Sequence, residues 1–350
     1  MREKVTVLAF LIIIFGCSFL GVVLPKKEIS LFERRKIMAY EKLKEDFFEN
    51  LDDYLSDHFP FRETLISLNN FTEREIFNNS SANDVFVENG YLIEKNYPLN
   101  EKSLDSFIKK LAYINDNYLQ NSDVYYTLIP DKSYFLEEGV RIDFDLIKEK
   151  IKELNIDYID AFEVFERDDY YKTDIHIKQP AYLKFISEAA KEMHFDSEEI
   201  EYKENRSSNF YGASYSKVAY VKADDLVYLT NEMTDASRVQ HLEYGVKKVY
   251  NEAALNGIDA YNVFLDGPSA LLEIETVSSS DKEIIIFRDS FASSMAPLLI
   301  PYYKKITLID LRYISFEQAL SHVSFDNKSV LFMYSTLMAN KSDLLKVTVK

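Results

Sequence analysis

This sequence is nearly devoid of two residue types: it has one cysteine, Cys17, and no tryptophan in 350 residues. Because Cys17 lies in the hydrophobic N-terminal segment, the rest of the chain can form no disulfide and no thiolate metal site. The five histidines make no HxxxH or HExxH pattern, which argues against a zinc enzyme. G-x-G-x-x-G and P-loop motifs are also missing, so the sequence predicts neither a metal nor a nucleotide cofactor.

Positive charge is scarce as well. The chain has 41 basic against 58 acidic residues, a formal net charge of −17. This balance excludes a general affinity for nucleic acid or anionic lipid, whereas carbohydrate and neutral acyl donors stay compatible. Hydrophobic residues reach 47%, and the length suffices for one large domain or two small ones.

One long hydrophobic run, Val5–Leu24, carries no charge and has the length of a membrane-spanning helix. Three interpretations compete: a cleaved signal peptide, a lipobox that ends at Cys17, and an uncleaved signal anchor. No A-x-A-like cleavage site is present, and Phe15 is unfavourable near a lipobox cleavage point. We therefore predict an anchor over residues 1–27 with the body outside the cell membrane, although basic residues flank the run on both sides and leave its orientation open.

The next segment, residues 28–80, shows helical periodicity interrupted by the motif DHFPFR at 57–62, where proline ends a helix. We interpret His58 as structural. The polar run 78–83 (NNSSAN) is the best linker candidate, so we place the main domain at residues 81–350.

Alternation of apolar runs and amphipathic segments in this domain predicts an α/β fold, a mostly parallel sheet with helices on both faces. We expect a β insertion around 205–232, with a strand over Phe210–Tyr220, and a helix over Val246–Leu255. Asn89-Gly90 is a typical two-residue hairpin turn. The predicted buried strands include Val124–Ile129, Leu271–Val277, Ile284–Phe287, Ile306–Leu311 and Val330–Tyr334.

The run Ile284–Phe287 turns through Arg288-Asp289-Ser290 into small, helix-compatible residues. A serine at a strand-to-helix turn lies where backbone N–H groups and the helix dipole stabilise a developing anion. The alternative is that Asp289 or Ser290 is only a helix N-cap.

A second candidate feature is the pair Asp174 and His176. On an extended segment both side chains would leave the same face, so the carboxylate could orient the imidazole; a structural hydrogen bond is the alternative. Three residues are candidates for substrate binding: Lys132 follows a predicted strand, Tyr211 lies in the insertion, and Arg288 adjoins Ser290. A solvated loop lysine and strand packing explain Lys132 and Tyr211 equally well.

Taken together, five segments resemble the DHHW family, relatives of the alginate O-acetylation proteins AlgX and AlgJ. These segments are DHFPFR (57–62), NGYLIE (89–94), TDIH (173–176), FYGASYSK (210–217) and FRDSFASSMAPLLIPYYKKITLIDLRY (287–313). The resemblance implies a three-layer, permuted SGNH-hydrolase-like fold and a triad of Ser290 as nucleophile, His176 as general base and Asp174 as its partner. It also implies work on a cell-surface polysaccharide beside a membrane-bound O-acyltransferase.

The family's D-H-H-W is here Asp174-Ile175-His176-Ile177, so the first histidine and the tryptophan are replaced. The two residues that would perform chemistry remain. The leading hypothesis is therefore an O-acyltransferase or esterase that works through an acyl-serine, and the rival is a catalytically silent, membrane-anchored scaffold. A general soluble lipase is disfavoured because no G-x-S-x-G elbow is present.

Overall fold

The computed structural model describes residues 2–77, 79, 82–137, 141–197 and 200–349. The predicted linker therefore lies partly outside the described residues, as does the boundary between residues 80 and 81. The N-terminal elements are α1 Arg2–Val23, β1 Ile29–Ser30, β2 Arg35–Lys36, α2 Tyr40–Glu45, α3 Phe47–Asp57 and α4 Arg62–Phe71, which continues as a π-helical turn, Thr72–Ile76.

Helix α1 contains an 18-residue window, Lys4–Gly21, that is long and apolar enough to cross a membrane, and none of this window is buried. This agrees with a single-pass anchor. The following residues were predicted to be helical from 28 onward, yet β1 and β2 pair as a short antiparallel hairpin with Ile29 opposite Lys36.

The body contains twelve further strands and eight further helices among the described residues. Its first half comprises β3 Val85–Glu88, β4 Tyr91–Glu94, α5 Glu101–Tyr118, β5 Asp123–Ile129, α6 Phe144–Ile151, β6 Asp157–Tyr158, α7 Ala161–Val164, α8 Tyr182–Glu192, β7 Lys203–Phe210 and β8 Asp224–Thr230. The second half comprises α9 Glu232–Ala236, β9 Arg238–His241, β10 Gly245–Lys248, β11 Leu271–Glu275, β12 Glu283–Arg288, α10 Ala292–Met295, β13 Lys305–Ile309, α11 Phe316–Ala319, β14 Ser329–Ser335 and α12 Thr336–Ala339.

Eight strands form one sheet in the order β10-β9-β11-β13-β12-β14-β5-β6. The five strands from β13 to β6 are parallel to one another. The three at the other edge pair antiparallel, and β11 joins them to β13 in an antiparallel pair. The predicted α/β fold with a mostly parallel sheet is confirmed.

Strand β12 lies near the middle of this sheet and is apolar on both faces because each face meets a separate core. Ile284 and Ile286 belong to the same core as Phe185 of α8, whereas Ile285 and Phe287 belong to the core that α5 and α6 cover. Such two-sided burial explains why the strand reads as a continuous apolar run, and it gives the molecule three layers.

Two local predictions were wrong. Residues 246–255 form β10 and then a 3-10 turn, Glu252–Asn256, instead of a helix. The insertion is the antiparallel pair β7–β8, but β7 ends at Phe210 and residues 211–220 form an irregular loop. We call this segment the 211–220 loop; it reaches the candidate site.

Candidate active site

The structure brings Ser290, His176 and Asp174 together in one hydrogen-bonded chain. Ser290 Oγ lies 2.7 Å from His176 Nε2, and His176 Nδ1 lies 2.5 Å from Asp174 Oδ1. Ser290 is supplied by the turn after β12. His176 and Asp174 come from an irregular segment whose ends, Tyr170 and Ile177, form an antiparallel bridge. The arrangement has the geometry of a nucleophile, a base and an orienting carboxylate, and the three roles stay predictions.

Asp174 orients the imidazole by a different geometry from the one expected. The segment is not extended; it turns so that Asp174 Oδ1 also accepts the backbone N–H of His176 at 3.0 Å. The other oxygen, Oδ2, accepts the N–H of Ala213 at 2.7 Å. Burial raises the pKa of Asp174, but the charge of His176 and these hydrogen bonds outweigh it and hold the pKa well below its usual range. Asp174 therefore remains an anion that can support an imidazolium.

Two aromatic rings pack against the imidazole of His176. Tyr261 stacks on His176 with ring centroids 3.9 Å apart and planes within 10°, and Phe291 packs at 5.0 Å. The Tyr261 hydroxyl is itself fixed by the Ser294 hydroxyl at 2.9 Å. Tyr261 was not identified from sequence, because nothing near it resembles a motif and the contact is made across 85 residues of chain.

Asp289, the acidic neighbour of the serine, has a structural role. One carboxylate oxygen accepts the Phe291 N–H at 3.0 Å. The other accepts the Ser335 N–H at 2.8 Å and the Ser335 hydroxyl at 2.7 Å. Asp289 thus connects the end of β12 to the end of β14 and fixes the turn that carries Ser290. The acid that contacts His176 is Asp174.

The backbone N–H of Ser290 is the oxyanion donor that the sequence predicts at this turn. It makes no hydrogen bond with any part of the chain that the structure describes. The helix that follows, α10, is a single turn that continues as a 3-10 turn, Ala296–Leu299. This agrees with the short helical segment predicted after Ser290, and a helix of one turn has only a small dipole, so the backbone donor is the larger part of the expected stabilisation.

The three candidate substrate-binding residues occupy different places. Arg288 is 2% exposed and donates to the Ser293 hydroxyl at 2.8 Å; its burial lowers its pKa. Tyr211 begins the 211–220 loop and packs against Tyr215 with ring centroids 4.5 Å apart. Direct contact of either side chain with a substrate stays a prediction.

Lys132 is 3% exposed and lies against the segment that carries Asp174 and His176. Its ammonium donates to the carbonyl oxygens of Tyr171 at 3.0 Å and Lys172 at 3.2 Å, just before Asp174. Burial lowers its pKa to about 8, against an upward pull from nearby carboxylates of which Asp174 is the strongest. These contacts fix the backbone just before Asp174, and contact of Lys132 with a substrate stays a prediction.

Lys132→Met should change how stability depends on pH. Between the folded pKa of about 8 and the ordinary value of 10.5, the unfolded lysine holds a proton that the folded one has released. Unfolding then takes up a proton, so wild-type stability rises with pH relative to Lys132→Met, by up to about 1.4 kcal/mol per pH unit. Urea unfolding of both proteins in detergent at pH 8, 9 and 10 measures this difference. Parallel stability curves would contradict it.

Gly212 allows the 211–220 loop to approach the catalytic segment closely. A Cβ placed at this position would lie 2.4 Å from Asp174 Cβ and 2.5 Å from Thr173 O. Because the second of these atoms is backbone, the contact cannot be relieved by a side-chain rotation. The glycine therefore lets Ala213 reach Asp174.

Gly212→Ala should separate this loop from Asp174 and weaken the Ala213 hydrogen bond. We expect a loss of about 1–3 kcal/mol in stability and, since a displacement near 1 Å can cost about 100-fold in rate, a comparable drop in kcat/KM. Thermal unfolding and ester turnover measure the two effects. Gly245→Ala is a suitable control: its added Cβ would meet nothing within 4 Å, although its φ of +71° makes it strained as well. Equal activity losses in the two variants would contradict the assignment.

An arginine from the N-terminal hairpin also reaches the site. Arg34 Nη1 lies 4.0 Å from Asp174 Oδ2, and Nη2 pairs with Asp259. Asp259 accepts the backbone N–H of Tyr261 at 3.2 Å, so this ion pair connects the hairpin to the ring that covers His176. No sequence signal identified Arg34, because it precedes Asp174 by 140 residues.

Comparison with known proteins adds information on the fold. The structure superposes on a DHHW family protein from Eubacterium siraeum with a TM-score of 0.60 and 17% identity, over 74% of this chain and 92% of the other. The chain shares the DHHW fold. PatB1 from Bacillus cereus, solved with a sulfonyl adduct, gives a TM-score of 0.57 at 17% identity and covers 75% of this chain and 96% of PatB1. The resemblance predicted from the motifs is thereby confirmed for the fold.

A more distant likeness, to the O-acetyltransferase domain of Pseudomonas putida AlgJ, has a TM-score of 0.44 and 9% identity and supports no inference. No family model matches the sequence, and no curated protein matches it significantly. Function must therefore be argued from the site itself.

Proposed function

We propose that this protein is a membrane-anchored serine O-acyltransferase that transfers an acetyl group to hydroxyls of a cell-surface polysaccharide. The observation that carries the proposal is the unbroken contact from Asp174 through His176 to Ser290, with separations of 2.5 and 2.7 Å. A scaffold needs no such alignment. Asp174, His176 and Ser290 remain hydrogen-bonded to one another although the family's first histidine and its tryptophan are replaced.

In the first step, Ser290 Oγ attacks the carbonyl carbon of an acyl donor while His176 Nε2 takes the hydroxyl proton. The carbonyl oxygen becomes an oxyanion facing the Ser290 N–H, a donor worth about 3 kcal/mol when well aligned. Collapse of this intermediate breaks the donor's acyl bond. The proton then passes from His176 to the leaving group, and the acyl group remains on Ser290.

In the second step, a sugar hydroxyl attacks the acyl-serine and gives its proton to His176 Nε2. The new ester bond forms on the sugar as the bond to Ser290 Oγ breaks, and His176 returns the proton to Ser290. Water in place of the sugar would make the same residues an esterase. The two activities differ only in the acceptor.

Three further observations support the proposal. PatB1, which shares the fold, accepts a sulfonyl adduct, the kind of covalent group that an activated nucleophile takes up. Helix α1 suits an anchor that keeps the body outside the cell membrane. The resemblance to the DHHW family implies a polysaccharide as acceptor and a membrane-bound O-acyltransferase as the source of acyl groups.

The test uses the full-length protein in detergent with an activated acetyl ester. Intact-protein mass should show one acetyl adduct, mapped to Ser290, and added oligosaccharide acceptors should become acetylated while free acetate falls. Free acetate with no acetylated sugar would make the protein an esterase. Folded protein with neither adduct nor turnover would support the scaffold.

A further inference from the structure

The turn between α3 and α4 lies beside the end of the proposed membrane helix. A Cβ on Gly21, the last residue of the apolar window of α1, would lie 3.8 Å from Pro60 Cδ and 3.9 Å from His58 O. The backbone of the helix is thus in contact with this turn. The medium that surrounds the end of α1 at Gly21 therefore also contacts the side chains next to Pro60.

Large apolar side chains project from this turn without cover. Phe59 and Phe61, on either side of the buried Pro60, are 45% and 62% exposed. Leu55 lies four residues before Phe59 on α3, and Leu65 lies four residues after Phe61 on α4; both are about half exposed. Phe59 and Phe61 lie in the turn itself, and Leu55 and Leu65 lie in the adjoining parts of α3 and α4. We call these four exposed side chains the turn patch.

Charged and amphipathic groups mark the boundary of that surface. Lys26 and Lys27 follow α1 directly; Lys26 Nζ lies over the Tyr54 ring at 5.7 Å, and Lys27 Nζ pairs with Glu63 at 2.8 Å. Lysine and tyrosine are the residues that occupy the lipid–water interface beside a spanning helix. The turn patch is therefore level with the membrane boundary.

We propose that the turn patch, Leu55, Phe59, Phe61 and Leu65, is immersed in the lipid at the membrane surface; this rests on the proposed membrane anchorage. Lipid is the occupant because the patch continues the bare apolar surface of α1, and because interfacial segments bury phenylalanine and leucine in this way. The immersed turn is joined to the site. Asp57, next to the patch, pairs with Arg35 at 2.9 Å, and the neighbouring Arg34 approaches Asp174. The patch accordingly fixes the orientation of the catalytic residues toward the bilayer.

The absence of tryptophan makes this testable, since any introduced tryptophan is a unique fluorophore. Phe59→Trp and Phe61→Trp report on the patch, Phe15→Trp on the spanning segment, and Val277→Trp, at an exposed site on the body, serves as the soluble reference. Each full-length variant is placed in phosphatidylcholine nanodiscs with or without quencher-bearing lipids: the quencher is near the headgroup for the patch and body reporters, and at the end of the acyl chain for Phe15→Trp, which would lie near the middle of a hydrocarbon core about 30 Å thick.

We expect both patch reporters to be blue-shifted and quenched several-fold more than Val277→Trp. If Phe15→Trp is quenched while both patch reporters behave like Val277→Trp, the patch is not immersed and the anchorage stands. If Phe15→Trp is not quenched, the anchorage itself fails and the patch with it. Blue-shifted patch reporters that lipid quenchers do not affect would show burial against protein and would overturn the lipid assignment.

Discussion

Ser290→Ala should abolish acyl-enzyme formation and lower kcat/KM for an acetyl ester by at least about 10⁴-fold. The alanine has no oxygen to form the new bond, and the backbone N–H alone supplies only electrostatic stabilisation. Steady-state turnover and intact-protein mass measure the loss. A sulfonyl fluoride, which should modify the wild type once, should leave Ser290→Ala unmodified.

His176→Ala should cause a loss of similar size, and the double variant should be scarcely worse than either single one. This non-additivity follows because the hydroxyl and the imidazole, 2.7 Å apart, act as one unit. Ser279→Ala, which removes an exposed hydroxyl, is the matched control and should retain full activity. Turnover that survives both Ser290→Ala and His176→Ala would disprove the triad.

The central part of this site could be predicted because its information is local. Every residue of the run Ile284–Phe287 is apolar, as expected for a strand that is buried on both faces. A serine in the turn after such a strand must lie at the carboxyl end of the sheet. Asp174 and His176 are two residues apart, so their contact needs no knowledge of the remaining fold. Only the prediction that Ser290 lies close to His176 depended on the resemblance to the DHHW family.

The parts that could not be predicted depend on contacts between distant residues. Tyr261 covers His176, and Arg34 approaches Asp174, but neither lies in a motif. The strand β10 was missed because Val246–Leu255 has helix-compatible composition, and partners outside that segment decided its conformation. Gly212 lies in the motif FYGASYSK, but the sequence does not show why this position needs glycine. The need comes from the close approach to Asp174, which only the packed structure shows.

The second large effect is expected for the carboxylate of Asp174: Asp174→Asn should lower kcat by about 10³–10⁴-fold with little change in KM. An amide of the same shape whose oxygen takes the place of Oδ2 still accepts the N–H of Ala213, but it loses the hydrogen bond from the His176 N–H, which Oδ1 accepts in the wild type. Its NH₂ group would then face His176 Nδ1 and act as a donor. The imidazole would have to accept there and carry its proton on Nε2, where it faces Ser290 as a donor and can no longer serve as the base.

The control for Asp174→Asn is Asp289→Asn, which alters the buried carboxylate next to Ser290. Asp289 accepts bonds from Phe291 and Ser335 but none from His176, so its amide variant should lose stability and retain the pH dependence of the wild type. Asp174→Asn should instead lose the base, and its residual rate should rise with added hydroxide or an external amine base. If the two variants lose kcat equally and respond alike to an added base, then the acid next to Ser290 shares the function assigned to Asp174, and the order of the triad would have to be redrawn.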